Sequence, residues 1–312
     1  MSALLPYLTH EEILALDLPL FEVFAAVERV FIEHARGAIE MPPKIGVHPR
    51  PGTFIHAMPA FVPALGVCGM KWVSGFPENA NRGLPTIAGL LILNDPDTGL
   101  PYALLDAQWI TAVRTAIVSG LIVRCCVRPG ARVLAVAGCG AQGQHHLRCL
   151  LHVLPDIERV RLFDVRADLA RRLSQHAAAY TKALVEVANS PEACLRGVDV
   201  AATCTSGRLE IAEDWLPAGG TAVGVDSSVA WGPLFGKAKL ILDDERQARE
   251  FDRHGKYPGG LPAVYAELGQ LLAGIKTGRE SSDERILGLP LGLAIADLAV
   301  AQLVWQASNS KT

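Results

Sequence analysis

No cluster of basic residues occurs along the chain. Its 29 lysines and arginines are nearly balanced by 32 aspartates and glutamates, for a formal net charge of −3. That balance argues against a nucleic-acid surface, and the lack of any block of like charges argues against a charged interaction tail. There is no CxxC pair and no histidine cluster at zinc spacing, so no metal site is expected. The seven cysteines are odd in number. Cys125 and Cys126 are adjacent within an apolar helical pattern, which points to buried free thiols in a reducing cytosol. The first residues, MSALLPYLTHEE, lack a basic region followed by an apolar core, so no signal peptide is expected. No apolar run reads as long and clean enough to span a bilayer, and neither an internal repeat nor a low-complexity segment is found. A cytoplasmic location is the expectation.

What remains is an ordinary globular composition, 50% hydrophobic and 20% charged over 312 residues. That length suits two domains. Thr9 with Glu12 reads as a capping box. Leu20, Val23, Phe24, Val27, Val30 and Phe31 mark one face of a helix ending at Gly37. Short strands split by Pro and Gly follow, in PGTFIHAMPAFVP, GVCGMKWV, IAGLLILND and YALLD, with a hairpin signal at Asp95–Gly99. Asp106 then caps AQWITAVRTAIVSGLIVRCCV, apolar nearly all round and so expected to be a buried helix. Beyond Pro129 and Gly130, VLAVAG, VRLFD, VEVA, VDVAATCT, TAVGVD and KLILDD recur as β-branched runs, most of them separated by helical segments. This alternation predicts α/β architecture, a parallel sheet with helices on both faces. GLPLGLAIADLAVAQLVWQAS reads as a closing apolar helix.

VLAVAGCGAQGQHHL carries Gly138, Gly140 and Gly143 at GxGxxG spacing, after a strand and at the start of a helix. A second strand ends at Asp164, 21 residues after Gly143. In that context the glycines are a dinucleotide fingerprint. The first permits a tight turn, the second lets backbone approach a pyrophosphate, and the helix N-terminus offers free N–H groups. A carboxylate at Asp164 suits ribose hydroxyls and repels a 2′-phosphate, which favours NAD. Arg166, two residues on, keeps NADP open.

Two cations sit in apolar segments. Strand alternation places Val67, Lys71 and Val73 on one face and Met70 and Trp72 on the other. A lysine sharing a face with valines either snorkels to water or meets an anion. Arg114, in ITAVRTAIVSG, cannot shed its charge and requires an acceptor. A structural carboxylate could serve, but two apolar segments each holding one cation, together with a nicotinamide cofactor, suggest instead the carboxylate of a small substrate.

With MPAF, KWVSGFPENANRGLPTIAGLLILNDPDTGLPYALLDAQWITAVRTA, VAGCGAQGQHHL, GVD and the segment from AELGQLLAG to GLAIADLAVAQLV, the sequence resembles the ornithine cyclodeaminase/mu-crystallin family over nearly its whole length. The resemblance implies a Rossmann doubly wound parallel sheet inserted into a mixed α/β substrate-binding and dimerisation domain. The expected division is 1–118 plus 290–312 for the substrate domain and 119–289 for the NAD(P) domain, with a homodimer as the assembly. It implies hydride transfer at the α-carbon of a small amino or imino acid, in a ketimine reductase or amino-acid dehydrogenase. The alternatives are ornithine cyclodeaminase proper and a non-catalytic NADPH-dependent ligand-binding protein like mu-crystallin. Carried over by position, Lys71 and Arg114 fall on substrate-carboxylate positions. Thr86, Arg114, Thr115, Gly138, Gly140, Ala141, Gln142, Asp164, Thr205 and Val225 fall on or near cofactor positions. Asp226 matches the catalytic aspartate, with Lys71 beside it in the catalytic set; by itself Asp226 also reads as a helix cap. Three positions depart from the family. Lys44 stands where an arginine is usual, giving a point charge in place of a fork, with Arg50 as a substitute. His56 stands where the cyclodeaminase has a glutamate before the MP dipeptide, and reads either as a substrate contact or as a core histidine. Pro290 replaces a small polar residue.

Overall fold

The computed structural model describes residues 5–205, 209–225, 230–257 and 259–310. The chain divides into two compact units, Met1–Arg114 with Gly292–Thr312, and Thr115–Leu291.

The first unit opens with β1 (Tyr7–Leu8), α1 (His10–Ala15) and α2 (Leu20–Ala35). The capping box closes as read: Glu12 N–H donates to the Thr9 hydroxyl and Thr9 N–H to the Glu12 carboxylate, at 3.3 and 2.8 Å. Val23, Phe24, Val27, Val30 and Phe31 form the buried stripe of α2. Strands β2 (Ile45–Val47), β3 (Phe54–Val62), β4 (Val67–Gly75), β5 (Ile87–Asn94) and β6 (Pro101–Asp106) complete a six-stranded sheet in the order β1-β6-β5-β4-β3-β2. Its pairs are antiparallel apart from β1 with β6. Period-two burial runs along β4. Val67, Gly69, Lys71, Val73 and Gly75 are buried on one face, and Trp72 is exposed on the other. Asp95 builds the β5–β6 turn by accepting from the N–H groups of Asp97 and Thr98.

Helix α3 (Gln108–Cys126) begins where Gln108 N–H donates to Asp106 Oδ1 at 2.8 Å. Contrary to expectation, this helix is long and apolar enough, by length and composition, to cross a membrane. In the folded chain 83% of that apolar window is buried. The division between the two units falls within α3, after Arg114.

The second unit is an eight-stranded parallel sheet. Its strands are β7 (Val133–Ala137), β8 (Arg159–Phe163), β9 (Leu184–Val187), β10 (Val200–Thr203), β11 (Thr221–Gly224), β12 (Lys239–Leu242), β13 (Val264–Glu267) and β14 (Ile286–Leu289). The order is β13-β12-β14-β11-β10-β7-β8-β9. Helices α4 (Ala141–Val153), α5 (Ala167–Ala177), α6 (Pro191–Leu195), α7 (Glu245–Arg253) and α8 (Leu268–Leu272) lie between strands. The core strands β7, β10, β11 and β14 are buried at nearly every position, as a sheet covered on both faces requires. All seven cysteines are free. Cys126, Cys139, Cys149 and Cys194 are buried, whereas Cys68, Cys125 and Cys204 are only partly so. The expectation of burial therefore fails for Cys125.

The tail also differs from expectation. Gly288 and Leu289 end the central strand β14, and the closing helix α9 starts only at Ala294 and runs to Ser310. Pro290 has no N–H to donate and Gly292 has φ +84°, so helix cannot extend back through them. Helix α9 returns to the first unit, where Tyr102 Oη donates to Gln302 Oε1 at 2.9 Å.

The chain between α3 and β7 is fastened by Asp199. Its Oδ1 accepts from Arg128 Nε at 3.0 Å, and its Oδ2 from the N–H groups of Arg132 and Val133 at 2.7 and 2.8 Å. Burial opposes ionisation, yet these donors hold the carboxyl below its usual range. Asp199→Ala is expected to lower unfolding free energy by about 2–4 kcal/mol at pH 7, since two strand amides and a guanidinium lose their acceptor. A depressed folded pKa stabilises above the unfolded value and ceases to do so as pH falls through the folded one. The gap between parent and variant in urea denaturation should therefore shrink below about pH 4.

Candidate active site

Lys71 projects from the middle of β4 into the covered face of its sheet and is 1% exposed. Its Nζ donates to Asp297 Oδ1 at 2.7 Å and lies 3.5 Å from Thr111 Oγ1. Arg114, on α3 one turn after Thr111, donates from Nε to the same Asp297 Oδ1 at 2.8 Å. Asp297 is fully buried in the first turn of α9, and its Oδ2 has no hydrogen-bond partner among the described residues. Two cations thus converge on one carboxylate oxygen, leaving a net positive charge in a buried place. Burial pulls the Lys71 ammonium down to about 7; Arg114 adds to the fall and Asp297 opposes it. Among the described residues, the terminal nitrogens of Arg114 have no protein acceptor. They lie against Gly292, where a Cβ would stand 2.9 Å from Nη1. Lys44 Nζ reaches Gly292 O from the other side at 3.4 Å.

Within the chain, Lys71 and Arg114 meet a structural carboxylate, Asp297, and that residue is the one sequence reasoning missed. Its signal was present. An acid in the apolar run LAIADLAVAQLV needs a counterion as much as Arg114 does. His56 shares the covered face: it pairs with Val73 as Met58 pairs with Lys71. Its ring stacks on Phe54 at 4.3 Å and meets His48 edge-on at 6.0 Å. Arg50 is exposed, its N–H donating to Thr53 Oγ1 in the turn before β3. Thr86 closes the turn after β4, where its carbonyl accepts from Phe76 N–H at 2.8 Å.

The other described candidates lie in the second unit, and all but Thr115, which is within α3, follow the C-terminal ends of parallel strands, where such sheets bind ligands. Gly138 follows β7 with φ +95°, and a Cβ there would lie 2.5 Å from Cys204 O. Thr205 follows β10, and Val225 follows β11 with its N–H donating to Thr203 O. Thr115 is the first residue of this unit. Gly140 is the N-cap of α4 and makes no side-chain cap, so Ala141 and Gln142 open a helix with free N–H groups. Gln142 Oε1 is buried with no partner among the described residues. A Cβ on Gly140 would meet nothing within 4 Å, whereas one on Gly143 would lie 1.8 Å from Gly138 O. One glycine keeps space open over the helix terminus, and the other closes the turn beneath it. Asp164 is fixed at the end of β8: its Oδ2 accepts from Cys139 N–H at 2.7 Å and its Oδ1 from Arg166 N–H at 2.9 Å. Asp226 lies outside the described residues.

Comparison with known proteins supplies a context for these two clusters. Residues 8–312 match the ornithine cyclodeaminase/mu-crystallin family. An alanine dehydrogenase of Archaeoglobus fulgidus is 35% identical, over 97% of this chain and 95% of its own. The structure of Thermococcus litoralis Δ1-pyrroline-2-carboxylate reductase in complex with NADH and L-proline superposes with a TM-score of 0.89 at 26% identity, covering 98% of each chain. An archaeal alanine dehydrogenase dimer with bound NAD gives 0.87 at 32% identity, covering 98% of this chain and 96% of that one.

The two glycines separate folding from binding. Gly140→Ala should leave urea stability within about 0.5 kcal/mol of the parent while weakening dinucleotide binding by at least about tenfold. Gly143→Ala should cost roughly 1–3 kcal/mol, because backbone must move to admit the methyl group. Equal stability losses in the two variants would contradict this assignment.

Proposed function

The chain belongs to the ornithine cyclodeaminase/mu-crystallin family, and from that footing we propose an NAD-dependent enzyme of the ketimine reductase or amino-acid dehydrogenase type. The observation that carries the proposal is the pair of buried cations that share one carboxylate oxygen while the terminal nitrogens of Arg114 have no acceptor among the described residues. A planar guanidinium with two free nitrogens takes a carboxylate bidentately, and an ammonium beside it adds a second anchor. A carboxylate bound by Lys71 and Arg114, with Lys44 near, fixes the orientation of an α-amino or α-imino acid. Asp226 exchanges the proton of the α-nitrogen. A bound dinucleotide would supply the redox chemistry, hydride passing from NADH to the α-carbon in reduction and from the α-carbon to NAD+ in the reverse direction. Gly138, Gly140, Ala141 and Gln142 hold the pyrophosphate on free backbone N–H groups, and Asp164 meets the ribose. The fit is supported by the open space over Gly140 at the start of α4. Thr86, Thr115, Thr205 and Val225 complete the cofactor set by their match to family positions.

His56 decides the substrate class between relatives. It stands where a cyclodeaminase needs an acid for the distal ammonium of ornithine, and a buried ammonium with no counterion binds poorly. Imino acids without a distal cation, such as the pyrroline-2-carboxylate of one relative, are the favoured substrates, with ornithine a poor one. The seven free thiols support a cytoplasmic setting.

A homodimer is the assembly we propose, closed over the open face of the six-stranded sheet. Ile45, Trp72 and Leu90 lie in one cross-strand row on that face, 71, 44 and 40% exposed, with Val47 at 56% in the next. Such a run of apolar surface is larger than scattered exposed side chains explain.

An assay with Δ1-pyrroline-2-carboxylate, with pyruvate plus ammonium, and with ornithine, each with NAD(H) and NADP(H), tests the function. NADH oxidation with an imino or keto acid is expected, together with tighter nicotinamide-fluorescence titration by NADH than NADPH. Asp226→Asn should stop turnover and leave that titration unchanged. Proline and ammonia formed from ornithine at ordinary enzyme rates would restore the cyclodeaminase alternative. Light scattering tests the assembly: the parent should weigh about twice the 33.3 kDa chain mass, and Trp72→Glu should weigh one chain.

A further inference from the structure

Asp297 has no assigned part in the chemistry, yet both proposed substrate anchors hang from it. It belongs to α9, which enters the first unit after the whole of the second has been traversed. One oxygen, Oδ1, accepts from Lys71 Nζ at 2.7 Å and from Arg114 Nε at 2.8 Å. The other, Oδ2, is buried and unbonded among the described residues. Arg114 is held through Nε, and its terminal nitrogens have no acceptor among the described residues. A carboxylate placed to stabilise the fold would be expected to use both oxygens and to satisfy the fork. This one uses half of its capacity and leaves the binding end of the fork free.

We propose that Asp297 is a positioning residue: it sets the spacing of Lys71 and Arg114 at which they receive the substrate carboxylate, and it supplies the countercharge that lets two cations stand together before the substrate arrives. The inference rests on the reading of those two side chains as carboxylate anchors. The charged groups acting on Lys71 are Arg114, from α3, and Asp297, from α9. Its cross-strand neighbours Met58 and Leu91 carry no charge, and His56 lies one pair further along β3 on the same face. Burial and Arg114 draw Lys71 down to about 7, and Asp297 is what opposes them. Without that carboxylate Lys71 loses its proton at lower pH, and one anchor is gone at neutrality.

Asp297→Asn tests this cleanly. Asparagine keeps an acceptor at the Oδ1 position, and its amide replaces an oxygen that has no bond to lose. The variant therefore removes charge with little change of shape. The readout is L-proline binding to the NADH-loaded protein by calorimetry between pH 6 and 9. Parent affinity should fall as pH rises through about 7, since a raised pH strips the proton that the carboxylate needs on Lys71. Asp297→Asn should bind about tenfold or more weakly at pH 7.5, with the fall displaced to lower pH. Asp297→Glu keeps the charge and displaces the oxygen, so it should bind about tenfold more weakly with the fall left where the parent has it. If Asp297→Asn does not fold, Asp297→Glu decides, and parent-like affinity there overturns the proposal. Lys71→Met and Arg114→Met separate the two layers. If they bind as the parent does, or if the parent does not bind, the anchor reading itself is overturned. If they bind weakly while Asp297→Asn keeps parent affinity and pH dependence, only the role of Asp297 is overturned.

Discussion

A single carboxylate oxygen in the first turn of α9 holds an ammonium from β4 and a guanidinium from α3. The first unit depends on that meeting. Each charge alone, at 6% exposure or less, would be prohibitively costly in an apolar interior, and removing any one partner strands the others at a cost of about 3–5 kcal/mol. A buried ion triad is nevertheless a poor way to gain stability, because well-packed apolar side chains of like volume do as well or better. Its presence is better explained by what it leaves over. Two cations on one anion is an incomplete account of charge, and that deficit is the physical ground for the proposal that a small anion binds there.

The second unit works by a different logic. At the glycine turn it offers oriented backbone N–H groups at the start of α4 and an open volume above Gly140. Asp164 is already bound by two backbone amides at the end of β8, so its carboxylate is held in place before any ligand comes. Both sites are thus preorganised, one by side-chain charge and the other by main-chain geometry.

The parts of this molecule that could be read from the sequence were those with local causes. The capping box at Thr9, the apolar stripe of α2, the alternation that buries Lys71 and exposes Trp72, and the glycine turn all depend on residues within a few positions of each other. The doubly wound sheet was legible for the same reason, through its repeated strand–helix cadence. What escaped has non-local causes. Strand β14 is four residues of ILGL whose place between β11 and β12 comes from the sheet, and its glycine hides it from strand propensity. Its last two residues, Gly288 and Leu289, open the segment whose pattern reads as the closing helix. Asp297 escaped because its partners lie 226 and 183 residues away, beyond any spacing rule. Arg114 posed the question correctly, and only tertiary structure could name which carboxylate answers it.

The return of α9 to the first unit has a consequence for the order of events during synthesis. The ribosome delivers β4 and α3 early, then all of residues 115–291, and α9 only afterwards. The second unit holds its own sheet and core and can fold as it emerges. The first unit at that moment has Lys71 and Arg114 but no anion to bury with them, so its sheet cannot close over the pair. A nascent chain is therefore expected to reach a stage at which the second unit has all of its residues while the first still lacks α9 and the countercharge for Lys71 and Arg114.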